Sequence, residues 1–294
     1  MIDLQVNGAG GIDLTSEPER VWEVGAILPR FGVSAFLPTL VSASFEIVDR
    51  ARGTYLEGPP PGYDGAAVLG WHVEGPFIAP SRAGAHHPSS LRDPDATAVR
   101  GWSPASGVRI VTLAPELPRA LDVVEALLAN GVVVSAGHSA ATFDEARRGF
   151  DAGIRMATHL FNAMAPLDHR EPGLVGAALL DDRVTVGLLV DGLHVAPAVV
   201  ALVRRIVGRE RLLVVSDAIE ALGMPPGRHQ LAGREVIVDE SSARLESGVL
   251  AGCVIGIDEA VANLASYSAL SAEDARYAAT VVPARLLGMA WPLA

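Results

Sequence analysis

Ala66-Ala67-Val68-Leu69-Gly70-Trp71-His72-Val73-Glu74-Gly75-Pro76 is the stretch whose reading decides the fold. Residues 66–73 are apolar with little alternation, as a strand buried on both faces reads, and the run ends in a carboxylate. Seven further runs share this pattern, at 2–6, 33–41, 108–114, 131–136, 155–161, 184–191 and 211–216. Amphipathic stretches lie between them, among them 17–31, 118–130, 141–152 and 196–207. Asn130-Gly131 reads as a helix stop, and Thr142 with Glu145 reads as a capping box. Eight β units separated by helices predict an α/β fold, a (β/α)8 TIM-like barrel of the metal-dependent hydrolase type. An open doubly wound sheet is the alternative. Gly8-Ala9-Gly10-Gly11 lacks the G-x-G-x-x-G spacing that would favour it.

The ends of the runs carry the polar groups. Gln5 and Asn7 close the first, Glu74 the third and His138 the fifth. His159 sits late in the sixth, His194 just follows the seventh, and Asp217 closes the eighth. Barrel enzymes gather catalytic groups at the C-terminal ends of several strands, so these residues are expected on one rim. Taken singly, Glu74 reads first as a structural ion pair, His138 and His159 as loop histidines, and Asp217 as a helix N-cap. Taken together, one carboxylate and two imidazoles form a ligand set for a catalytic divalent metal. Asp217 then becomes the acid/base for an attacking water. Arg170, in His169-Arg170-Glu171-Pro172-Gly173, reads either as a surface partner of Glu171 or as a fixed cation for an anionic substrate. His86, His87 and His229 read as solvated loop residues, with His86 in the long loop 75–92 on the active face. Residues 218–255 read as a β-rich insertion with turns at Pro225-Pro226-Gly227 and Gly233.

The chain has 294 residues and a formal charge of −11, from 23 basic and 34 acidic residues. That balance argues against nonspecific nucleic-acid binding. The sequence contains no Lys, which excludes a Schiff-base lysine, a Walker lysine and a carboxylated lysine bridging two metals. Its single cysteine, Cys253, cannot form an intramolecular disulfide and favours a reducing compartment. No run approaches the ~20 apolar residues of a membrane helix, and Met1-Ile2-Asp3 does not open a secretory leader. The expectation is a cytoplasmic, soluble protein with no membrane partner.

The motifs resemble the N-acetylglucosamine-6-phosphate deacetylase family of the amidohydrolase superfamily. The resemblance rests on Val6-Asn7-Gly8, Glu74-Gly75-Pro76-Phe77, Ala114-Pro115-Glu116, Gly137-His138-Ser139 and Thr158–Met164. It continues through Arg170–Gly173, Asp191-Gly192-Leu193-His194, Ser216-Asp217-Ala218, Leu250-Ala251-Gly252 and Pro283-Ala284-Arg285. It implies hydrolysis of the N-acetyl group of an amino-sugar phosphate in a homodimer. Glu74, His138 and His159 would hold the metal. Asp217 would take a proton from the attacking water and return it to the leaving amine. His194 would face the substrate and help stabilise the tetrahedral intermediate. Asn162 and Ala163 would hold the sugar phosphate, Arg170 and His194 would meet its phosphate, and His86 would touch the sugar.

Many amidohydrolases carry His-x-His on the first strand, where a second metal binds. This chain has Gln5-Val6-Asn7, and amides compete poorly for zinc or iron, so one metal is expected. Zinc is the first choice, and iron, manganese and cobalt accept the same ligands. The resemblance also implies a small β-sandwich built from segments before the first barrel strand and after the last helix. Either the ends of this sequence are mis-set or it is a barrel-only form, and residues 1–294 are expected to form one catalytic barrel. Ala83, Ala85 and Cys253 are smaller departures. The alternatives are another N-acyl amidohydrolase and a non-catalytic barrel remnant.

Overall fold

The computed structural model describes residues 1–293. Eight parallel strands form its centre. They are β1 (Ile2–Val6), β2 (Ala35–Val41), β3 (Trp71–Glu74), β4 (Val108–Leu113), β5 (Val133–Ala136), β6 (Met156–Ala157), β7 (Thr185–Leu188) and β8 (Leu212–Val214). Each pairs in parallel with the next in sequence, and β1 and β2 are buried along their whole length. Every expected run therefore supplies a barrel strand; the first spans its whole run, and most of the others are shorter than their apolar stretch. The run at 66–73 divides into a short Ala67–Val68 strand paired with β2, and β3, which includes Glu74.

The seam between β1 and β8 closes at the C-terminal rim. Asn7 N–H donates to the Ala218 carbonyl at 2.7 Å, and Asp217 N–H donates to the Gln5 carbonyl at 3.0 Å. At the other end, Ile2 N–H donates to Ala279 and Val214 N–H to Ala278, so the chain between two late helices fills the gap. The closing bonds thus bring Gln5, Asn7 and Asp217 to one place.

Helices cover the outside. The expected ones appear as α1 (Val21–Ile27), α3 (Ala120–Ala129), α4 (Phe143–Ala152) and α6 (Pro197–Arg211). Between them and after them come α2 (Phe45–Glu57), α5 (Gly173–Leu180), α7 (Ile257–Ser268), α8 (Ala272–Tyr277) and α9 (Val281–Leu286). The Thr142/Glu145 capping box is formed at the start of α4, and Asn130 caps the end of α3. Gly8–Ala9 pairs antiparallel with Ile12–Asp13 in a tight hairpin, with Gly10 and Gly11 at positive φ, so the glycine run makes a turn. Within 218–255 an antiparallel sheet forms from β9 (Gly227–Leu231), β10 (Arg234–Val238) and β11 (Ala243–Arg244). It lies over the rim, where Arg234 Nη1 donates to the carbonyls of Ala85 and His86 at 3.1 and 3.2 Å.

Below the rim the barrel interior carries a layer of buried polar side chains above an apolar floor that includes Leu37 and Ile110. His72 Nδ1–H donates to the Leu4 carbonyl at 3.1 Å, which leaves Nε2 to accept the Thr112 hydroxyl at 2.7 Å. Burial lowers the His72 imidazole to about 4, in keeping with a neutral ring. Asp3 accepts the N–H groups of Gln5 and Ser216 on Oδ1, both at 3.2 Å. Burial raises its carboxyl from 3.8 to about 7, against the pull of those bonds. A folded pKa raised in an acid means stability that is complete below the unfolded pKa and is lost as pH rises through the folded one. Asp3→Asn keeps the acceptor and removes the ionisation. At pH 8 urea unfolding is expected to show the variant more stable by on the order of 1–3 kcal/mol. The difference should vanish near pH 4, and a variant that is less stable at pH 8 would contradict this reading.

Candidate metal centre and active site

Glu74 ends β3 pointing into the barrel, two residues along the same face from His72. His138 and His159 follow β5 and β6 in left-handed backbone, at φ 49° and 29°. Asp217 follows β8 at φ 51°. Such φ values are uncommon for residues with a side chain and are held by surrounding structure. Here they turn each side chain over the mouth of the barrel as the strand ends. The chain after Asp217 runs into a turn, so the helix-cap reading of this residue is overturned.

The donor atoms converge. Glu74 Oε1 lies 3.2 Å from His138 Nε2 and 2.9 Å from His159 Nε2, and the two nitrogens are 3.2 Å apart. All three residues are buried, and together they form a group able to hold a metal ion. His138 Nδ1–H donates to the Arg82 carbonyl at 2.9 Å, which directs Nε2 and its lone pair toward the other donors. His159 Nδ1 is buried without a partner. A buried carboxylate and two imidazoles at contact distance suit a borderline divalent cation, so the residues fit the group. Burial works to raise the Glu74 carboxyl, but His138 and His159 outweigh it and hold it well below the usual range. Burial works to lower His159, and Glu74 outweighs it in the other direction.

Asp217 is tied to the first strand. Its Oδ1 accepts Gln5 Nε2 at 3.0 Å and Asn7 Nδ2 at 2.8 Å, and Gln5 Nε2 also donates to Glu74 Oε1 at 3.2 Å. The two amides therefore serve as donors to the carboxylates of the site. Burial and the charge of Glu74 raise Asp217 to about 6.

His194 lies on the same cavity, held by Asp191. Its Nδ1–H donates to Asp191 Oδ2 at 2.6 Å, while Asp191 Oδ1 accepts the N–H groups of Leu193 and His194 at 2.9 Å. This fixes the ring with Nε2 free for a substrate. Burial works to raise Asp191, but His194 overcomes it and lowers the carboxyl to about 2. The Cys253 thiol donates to the same Oδ2 at 3.5 Å. Asp191, His194 and Cys253 also form a ligand-like group, yet the 2.6 Å contact is that of a charge-assisted hydrogen bond.

His86 corrects the sequence expectation of a solvated residue. It is 2% exposed, its Nδ1 is 2.6 Å from Ser42 Oγ, and its Nε2 lies 3.8 Å from Glu74 Oε2. His229 is also tied down, with Nδ1 3.5 Å from Glu220 and Nε2 donating to the Pro225 carbonyl. His87 is exposed, as expected. Asn162 and Ala163 line the cavity, which has a volume of about 310 Å³. Arg170 does not line it. Its side chain is exposed, and Glu171, its expected surface partner, instead accepts the N–H groups of Phe143 and Gly173. Both readings of Arg170 within one chain are therefore unsupported. Sequence reasoning missed Asp191 as the holder of His194, although the Asp-Gly-Leu-His spacing is a usable signal. It also missed Arg82, which no local pattern marks.

No helix among the described residues is long and apolar enough to cross a membrane. No family model matches the chain. Among curated proteins, it is 38% identical over 266 residues to the N-acetylglucosamine-6-phosphate deacetylase of Lysinibacillus sphaericus, covering 90% of this chain and 69% of that one. It is 37% identical over 291 residues to the N-acetylgalactosamine-6-phosphate deacetylase of Escherichia coli O157:H7, covering 98% and 77%. Among solved structures, a variant of the N-acetyl-D-glucosamine-6-phosphate deacetylase of Mycobacterium smegmatis, in complex with N-acetyl-D-glucosamine-6-phosphate, superposes with a TM-score of 0.90 at 35% identity. That match covers 98% of this chain and 77% of the other. The Thermotoga maritima N-acetylglucosamine-6-phosphate deacetylase gives a TM-score of 0.90 at 32% identity, with coverages of 98% and 77%.

Proposed function

Because the chain belongs to the N-acetylglucosamine-6-phosphate deacetylase family, we propose that it hydrolyses the N-acetyl group of N-acetylglucosamine 6-phosphate to glucosamine 6-phosphate and acetate. It is a metal-dependent amidohydrolase. The observation that carries the reading is the convergence of Glu74, His138 and His159 beside Asp217 in one rim cavity. These three residues would hold a divalent metal, a single zinc in this reading, which would supply Lewis acidity for the amide and the water. Residues 1–294 then act as one catalytic barrel.

Asp217 holds the proton. As a carboxylate it accepts one from the attacking water, and as an acid it delivers it to the amide nitrogen as the C–N bond breaks. A carboxyl near 6 populates both forms close to neutral pH. Gln5 and Asn7 keep Asp217 aimed while it changes state. His194, fixed by Asp191, offers Nε2 to the substrate and helps stabilise the tetrahedral intermediate. Asn162, Ala163 and His86 face the sugar phosphate. We further propose a homodimer, in which Arg170, exposed and outside the cavity of its own chain, meets the phosphate of the neighbouring subunit's site.

The relative named N-acetylgalactosamine-6-phosphate deacetylase supports a second reading, in which the 4-epimeric sugar phosphate is the substrate. Acetate release should be measured from both N-acetylhexosamine 6-phosphates and from plain N-acetylglucosamine. The gluco phosphate is expected to have the highest kcat/KM, exceeding the plain sugar by at least tenfold. A higher value for the galacto epimer would replace the first reading with the second. No release from any of them would point to another N-acyl substrate or to a barrel without catalysis.

A further inference from the structure

The segment after β3 crosses the barrel mouth as a roof, and Ser81, Arg82, Gly84 and His86 line the cavity from it. Arg82 is anchored through its backbone at both ends. Its N–H donates to the Ala79 carbonyl at 2.8 Å, and its own carbonyl accepts His138 Nδ1–H at 2.9 Å. The roof is braced from above by Arg234, whose Nη1 donates to the carbonyls of Ala85 and His86.

The Arg82 side chain is in a different condition. Among the described residues it is the only arginine lining the cavity, and its Nε is buried without a partner. A guanidinium offers five donors in a planar fork and keeps its charge at any ordinary pH. Leaving such a donor buried and unpaired is unfavourable unless something else completes it. The acids of the cavity are already engaged. Glu74 Oε1 faces His138, His159 and Gln5, and Asp217 Oδ1 accepts from Gln5 and Asn7. The Arg82 charge is therefore not consumed within the protein, in a cavity whose substrate is an anion.

We propose that Arg82 is a substrate-binding residue supplied by the same chain, its guanidinium pairing with the 6-phosphate of the bound sugar. This rests on the sugar-phosphate reading above. One residue then serves both ends of the site, with its side chain on the phosphate and its carbonyl on a metal ligand.

The test is a comparison of kcat/KM for N-acetylglucosamine 6-phosphate and plain N-acetylglucosamine in wild type, Arg82→Gln and Arg82→Lys. Metal content is measured on each preparation. Any substitution keeps the backbone carbonyl that holds His138, so metal content should stay at the wild-type level. Arg82→Gln is expected to lower the ratio of phosphorylated to plain kcat/KM by roughly 10- to 100-fold, the effect of losing a charge-assisted contact. Arg82→Lys should recover part of the ratio. Inhibition by inorganic phosphate should weaken in parallel in Arg82→Gln. A wild-type preference for the phosphorylated sugar that survives unchanged in Arg82→Gln overturns the assignment of Arg82 alone. An equal fall on both sugars also overturns it, and places the residue in the support of the roof. A wild type that hydrolyses neither sugar overturns the substrate reading, a result seen before any variant is compared.

Discussion

Asp217→Asn is expected to lower kcat for acetate release by about 10³- to 10⁴-fold while leaving the metal content of the protein unchanged. General acid–base catalysis contributes about 10²- to 10⁴-fold. The upper end applies because one group serves as base toward water and as acid toward nitrogen, so its loss affects both halves of the reaction. The exchange is nearly isosteric. Asn keeps an oxygen that can accept from Asn7 and Gln5, as Asp217 Oδ1 does at 2.8 and 3.0 Å. Asp217 is not among the three converging donors, so the metal should remain. Steady-state assays and elemental analysis on the same preparation check this. A fall of less than tenfold with metal retained would move the proton-transfer role to another residue. Loss of metal would make Asp217 a ligand.

Glu74→Gln should remove the metal and, with it, all measurable activity. Glu74 Oε1 is the shared point of the site, within 3.2 Å of His138 Nε2, His159 Nε2 and Gln5 Nε2. An amide oxygen lacks the charge that opposes a divalent cation, so retained metal should fall at least 100-fold after dialysis. A ligand that binds only the folded state stabilises it by mass action, about 4 kcal/mol at a thousandfold excess over Kd. Chelation is therefore expected to lower the Tm of the wild type by several degrees and to leave that of Glu74→Gln in place. Proton competition sets the pH dependence. Burial lowers His159, but Glu74 raises it further, so the metal must displace a held proton and its retention should weaken as pH falls. A Glu74→Gln protein that keeps stoichiometric metal would show that the two imidazoles and some other group form the site.

The barrel was legible because its evidence is local. An apolar run without alternation reports burial on both faces, and each of the eight runs contains a strand. Most strands after the first are shorter than their runs because pairing stops before the apolar stretch does, as at Met156–Ala157 within 155–161. The capping box of α4 was legible for the same reason, since its two bonds span three residues. The turn at Gly10-Gly11 was recognisable only as not a dinucleotide loop. Its hairpin pairs two residues with two, too short for any periodicity to appear.

The sequence by itself determined which residue types stand at the strand ends. Side chains alternate along a strand, so a Glu closing one run and a His beyond two others are carried to the rim wherever the barrel forms. Only the tertiary structure decided what each of them meets. Arg82 lends its carbonyl to His138 across 56 residues, Ser42 meets His86 across 44, and Gln5 and Asn7 reach Asp217 across 212 and 210. It also left Arg170 exposed and outside the cavity lining, and buried His86 in the cavity wall. The physical reason is that these contacts depend on how the strands assemble: the Gln5 and Asn7 contacts need closure between the first and last strands, and those of Arg82 and His86 need the segment after β3 to cross the neighbouring strand ends. Before that assembly, no spacing in the chain relates one partner to the other.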